Sequence, residues 1–154
     1  MTYAVVRVRG QPEVNRDIEH TMGLLGLTRV NHCVVVPENP STKGMLQVVK
    51  DYCTWGEIDA ETLASMIKVR GRLSGDREVT DDYLKENSEF ATVEDLAKGI
   101  LENNYRLRDV EEAKPVFRLH PPIKGYEGNK RSYQVGGALG YRGEAINDLI
   151  NRML

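Results

Sequence analysis

The chain has 154 residues, 40% of them hydrophobic and 29% charged, with a formal net charge of −2. That is enough apolar material for one ordinary core, and no run of about 18 apolar residues is present to cross a membrane. Two cysteines, Cys33 and Cys53, are too few for a disulfide framework. The opening MTYAVVRVRG has no basic segment ahead of an apolar stretch, so a reduced, cytoplasmic protein without a secretory leader is expected. Aromatics make up only 6%, which argues against base stacking as the main mode of binding.

The near-neutral total conceals segregation of charge. Residues 1–74 carry a net +1, residues 75–112 a net −7 and residues 113–154 a net +4. A pI near 6.0 does not therefore exclude a polyanionic partner, because binding follows local clusters of positive charge. By itself the acidic block reads as a solvated helical surface.

In chain order, residues 3–9 alternate, with Ala4, Val6 and Val8 on one face and Tyr3, Val5, Arg7 and Arg9 on the other. This predicts a half-buried strand carrying two arginines side by side, ended by Gly10. Pro12 suits a first helical turn. Val14, Ile18, Met22 and Leu25 recur at helical spacing up to Gly26. Residues 31–36 form a short apolar strand closed by Pro37. Asn39-Pro40-Ser41 makes a turn and cap for a second helix, with Met45, Val48, Val49 and Tyr52 on one side. Residues 53–58 form a third strand around Trp55-Gly56.

Beyond residue 58, a helix is predicted over 59–70, and Gly71–Gly75 breaks it. Thr80 caps a short helix with Asp81 and Asp82 in its first turn. Thr92 and Asp95 resemble a capping box before Val93, Leu96, Ala97, Ile100 and Leu101. Residues 116–120 form a short strand, residues 121–140 a loop, and Ile146, Leu149, Ile150 and Met153 mark a C-terminal helix. The fold class is α+β: a ferredoxin-like β-α-β-α-β core over residues 1–58, followed by a mostly helical extension over residues 59–154 that carries a basic loop and the last helix.

No pattern supports catalysis. His32 and Cys33 are adjacent on a strand and point to opposite faces, so with Cys53 they make no zinc site. His20 and His120 lack ligand spacing to them, and neither cysteine begins a helix where a thiol would be activated. Gly136-Gly137 through Gly140 superficially resembles a dinucleotide loop. The fingerprint requires a further strand and an acidic residue about 20 positions on, and the sequence given ends at Leu154. Two readings remain for this stretch. It is a flexible loop capped by Gly143, or it is a close-approach segment whose following helix offers free N–H groups to a phosphate, with Tyr141 and Arg142 at the entrance. The segment HPPIKGYEGNKR (120–131) offers Lys124, Lys130 and Arg131 against one acid, Glu127, and cannot order itself by burial. Ser41 through Gly44 with Lys50 is a further phosphate seat. Several small basic-plus-glycine sites on different segments suit a protein touching folded RNA better than one deep small-molecule pocket.

Val30-Asn31-His32-Cys33, Pro37, Gly44-Met45-Leu46, Val49, Tyr52 and Trp55-Gly56 together resemble the large-subunit ribosomal protein family called L-thirty in archaea and L-seven in eukaryotes. So do Lys68-Val-Arg70-Gly71, Thr92–Leu96, Phe117-Arg118-Leu119 with Pro121, and the glycine pair at 136–137 ahead of Arg142 and Ile146-Asn147-Leu149-Ile150-Arg152-Met153. The resemblance spans nearly the whole chain. It implies a ferredoxin-like core, no enzyme activity, no cofactor or metal, and no membrane or small-molecule substrate. It also implies residence in the ribosome with large-subunit rRNA, 5S rRNA and neighbouring ribosomal proteins as partners. Carried onto this chain, the RNA-contact residues are Arg9, Gly10, Lys43, Gly44, Lys50, Arg70, Lys124, Lys130, Arg131, Gly136, Gly137, Tyr141 and Arg142. The long basic N-terminal arm of the eukaryotic members is absent and the loop after the Pro-rich turn is less basic. The residues alone leave open a stand-alone ferredoxin-like ligand-binding or regulatory domain pairing through a sheet edge, and a small cysteine enzyme.

Overall fold

A computed structural model describes residues 2–102, 106–110 and 112–154. Its strands are β1 (Thr2–Arg7), β2 (His32–Pro37), β3 (Cys53–Glu57), β4 (Val116–Arg118), β5 (Gly128–Ser132) and β6 (Gly137–Tyr141). Its helices are α1 (Arg16–Leu25), α2 (Pro40–Val49), α3 (Ala60–Arg70), α4 (Asp81–Asn87), α5 (Val93–Leu101) and α6 (Ala145–Met153). The strands form one six-stranded sheet in the order β4-β2-β1-β3-β6-β5. β1 pairs antiparallel with β2 (Val6 opposite Cys33) and with β3 (Val6 opposite Thr54). The β-α-β-α-β unit thus supplies the three central strands. β4 extends the sheet beside β2, and β6 lies parallel to β3 with β5 at the outer edge.

Alternation within β1 splits the core in two. Tyr3 and Val5 join Met22, Leu27, Leu46, Val49 and Trp55 under α1 and α2. Ala4 and Val6 join Leu63, Met66, Ile67, Leu96, Ile146 and Leu149 under α3, α5 and α6. Each fully buried Leu or Met among these contributes about 1.5–3 kcal/mol relative to exposure. β1 is therefore buried over all six residues rather than half-buried, because the second half of the chain covers the face that α1 and α2 leave bare. Arg7 does not stand beside Arg9 on an open face. It is 1% exposed, and its Nε and Nη1 donate to the carbonyls of Arg9 and Leu27, both at 2.9 Å.

Helix starts follow side-chain capping. Asn15 Oδ1 accepts from Asp17 N, so α1 begins at Arg16, beyond Pro12. Asn39 caps α2, with Pro40 in the first turn. The buried stripe of α2 is Thr42, Leu46 and Val49, and Val48 is 44% exposed. Thr80 and Thr92 cap α4 and α5 as expected.

Candidate nucleic-acid interface

The central strands have two ends, and the basic residues sort between them. At the end where β1 finishes, Val8 N and Arg9 N both donate to Tyr52 O (2.9 and 3.2 Å). The Arg9 guanidinium lies 4.9 Å from the Tyr52 ring centre, a cation–π contact. Lys50, exposed at the end of α2, sits two residues before Tyr52. Asn31 reaches the same end: its N–H donates to Arg7 O and its carbonyl accepts from Leu119 N. Its side chain accepts from Tyr126 Oη at 2.6 Å.

That last bond helps to fix the segment expected to be a loop. Tyr126 also packs against Val8, Ala138 and Leu139. Arg152 Nη1 donates to Ile123 O and Gly125 O at 3.2 and 3.1 Å, and Ile123 N returns a bond to Arg152 O. Two tyrosine contacts and an arginine fork supply the order that little apolar burial could not. Lys124 is held exposed in a left-handed turn with φ 71°. Residues 128–141 are not loop either. They form β5, a single 3-10 turn over Tyr133–Val135, and β6. All five residues of β5 are exposed, which presents Lys130 and Arg131 along the sheet edge. Gly137 is buried and lets β6 close on β5, since a Cβ there would stand 2.0 Å from Arg131 O. Gly136 is exposed with φ 88°.

The stretch from Gly136 does not run into a helix, so no helix N-terminus opens at Tyr141 and Arg142. β6 intervenes, and α6 begins only at Ala145. Tyr141 is 43% exposed and its hydroxyl donates to Glu57 at the opposite end of the sheet. Arg142 turns inward, its side chain 2% exposed. Its Nε donates to Thr54 Oγ1 and its Nη2 to Ala138 O, both at 2.8 Å. Burial lowers its affinity for the proton, and nearby Glu127 partly restores it. Lys43 and Gly44 also lie at the opposite end, with Lys43 Nζ 3.0 Å from Glu38 Oε1. That ion pair, and then a hydrogen bond from Tyr3, holds the half-buried Glu38 carboxyl below the usual range. Arg70 ends α3, on the other side of the sheet from α1 and α2, and is half-buried.

The arrangement therefore brings together Arg9, Gly10, Lys50 and Lys124 at one end, with Gly136, Gly137, Lys130 and Arg131 on the adjoining β5–β6 edge. It leaves Lys43, Gly44, Tyr141 and Arg70 elsewhere. The basic segment 120–131 also offers Tyr126 in the sequence, and Asn31 and Tyr133 stand in stretches singled out there, but the roles of all three in placing the cations are not legible from it. Both thiols are buried, which pushes Cys33 and Cys53 up to about 12, and they belong to opposite halves of the core.

Residues 3–53 match the family described as ribosomal protein L30p/L7e. The chain is 51% identical over 151 residues to large ribosomal subunit protein uL30 of Archaeoglobus fulgidus, covering 98% of this chain and 99% of that one. It belongs to the L30p/L7e family. Similar agreement holds for uL30 of Methanosphaera stadtmanae, 48% identical over 152 residues and 99% of each chain. For Methanocorpusculum labreanum the figure is 47% over 151 residues, 98% of this chain and 99% of the relative. The L30p/L7e family match covers β1 through the first residue of β3, whereas the archaeal relatives extend through β4–β6 and α6. These relatives are named as ribosomal proteins and not as enzymes.

Proposed function

We propose that this protein is a structural constituent of the large ribosomal subunit, holding folded large-subunit rRNA through phosphate contacts, with 5S rRNA and neighbouring ribosomal proteins close by. The observation that carries the reading is the shared placement of Arg9, Lys50 and Lys124 at one end of the sheet beside the exposed Lys130–Arg131 edge. Cations there neutralise phosphates, and the glycines at 10, 136 and 137 let backbone come near backbone. Arg142 and Arg7 serve from inside: Arg142 ties β3 to β6 through Thr54 and Ala138, and Arg7 holds the backbone at Arg9. The carboxylates of Asp81, Asp82, Glu86, Glu89, Glu94 and Asp95 are all exposed and face away from phosphate, where they would repel it.

Sedimentation of the tagged protein with large subunits through a salt series tests this. Association at moderate salt that is lost at high salt is expected. Recovery in the free fraction at low salt would overturn the reading and return the stand-alone ligand-binding alternative.

A further inference from the structure

Tyr133 projects from the 3-10 turn between β5 and β6 and keeps 39% of its surface exposed. The Arg142 guanidinium lies 4.9 Å from its ring centre. That guanidinium is buried and fixed by Thr54 Oγ1 and Ala138 O, so it backs the ring from the protein side and the exposed surface lies on the other. Lys130 and Arg131 precede the ring on the fully exposed edge strand, and Gly136, with φ 88°, closes the turn after it. An aromatic ring on a rigid cationic support, open to solvent and beside two exposed cations, has the makings of a base-stacking platform.

We propose that Tyr133 stacks against an unpaired nucleobase of the bound RNA while Lys130 and Arg131 hold the flanking phosphates. The inference rests on the RNA reading above and adds a contact that phosphate neutralisation does not provide. A low aromatic content argues against stacking as the main mode; it leaves room for one placed ring. Every base has a π-face, so the contact tolerates sequence but requires a nucleotide outside a duplex.

The experiment measures affinity of the full chain for a large-subunit rRNA transcript of Archaeoglobus fulgidus across a salt series, with thermal melting of each variant as a folding control. Tyr133→Ala is expected to weaken binding by about tenfold or more at an unchanged log–log salt slope, because stacking releases no counterions. Tyr133→Phe is expected to bind like the unaltered chain. If the alanine variant melts lower, Tyr133→Leu, which keeps apolar cover over Arg142, is expected to lose the same affinity while melting normally. Tyr133→Ala or Tyr133→Leu binding as tightly as the unaltered chain would overturn the stacking role and leave the RNA reading standing. So would equal losses in Tyr133→Phe and Tyr133→Ala, or a loss accompanied by a shallower slope. Failure of the unaltered chain to bind would overturn both.

Discussion

At the residue scale, the informative side chains are those whose position contradicts their chemistry. Arg142 reads as a surface phosphate ligand but is an internal strut, and Arg7 repeats the pattern under Leu27 O. A guanidinium spans two acceptors that one ammonium cannot match in geometry. Arg142→Ala leaves Thr54 Oγ1 and Ala138 O without this donor and opens a cavity, and is expected to cost about 2–3 kcal/mol. A urea midpoint measures it, and Arg142→Lys is expected to recover only part of the loss. His32 supplies a pH test. Burial first, then the positive charges of Arg118, Arg29 and Arg7, lower its proton affinity. The unfolded chain therefore binds the proton more readily than the folded one. Stability is expected to fall as pH drops through the ordinary histidine value of about 6.5 toward the lowered one. Melting temperature followed from about pH 7.5 to 5.5 should decline for the native chain and less for His32→Gln.

At the element scale, close backbone approaches decide the architecture. A Cβ on Gly56 would stand 1.9 Å from Gly143 O, so the turn entering α6 settles on β3 only because residue 56 has no side chain. Gly56→Ala is expected to destabilise by about 2 kcal/mol or more, with a lower melting temperature as the readout. The β-α-β-α-β order was legible because period-2 and period-3.6 patterns alternate cleanly through residue 58. So were the capping threonines of α4 and α5. The strands β5 and β6 were not. GNKRS is fully exposed and therefore lacks a periodic apolar signal, and GALGY is interrupted by Gly137, which packs against Arg131, and by Gly140, which takes φ 81°. The burial of Arg7 escaped notice for a related reason: alternation shows that two faces exist, not that a later helical layer will cover the second. At the candidate interface, Arg9, Lys50 and the 124–131 cations could be named from composition. Their grouping could not, since Tyr126 bonds Asn31 across 95 positions.

At the scale of the whole molecule, segregation of charge becomes a division of surfaces. In the acidic stretch, Glu94 on α5 is paired to Lys68 of α3, and Asp76, ahead of α4, to Lys114. Lys43 is similarly engaged with Glu38. Among the described residues, no ion pair engages Arg9, Lys50, Lys130 or Arg131, so a chain of net charge −2 still presents a positive track to a polyanion. The salt dependence of RNA association should then discriminate by position and not by charge alone. Lys130→Gln combined with Arg131→Gln is expected to lower the log–log slope by about two units, near one per lost phosphate contact. Glu86→Gln with Glu89→Gln, which changes net charge by the same amount in the opposite sense, is expected to leave the slope unaltered. Lys43→Gln, at the other end of the sheet and already paired, should behave like the acidic pair. Responses that follow each variant's change in net charge in sign and size would mean that RNA senses only the total charge, and the positive track would lose its role.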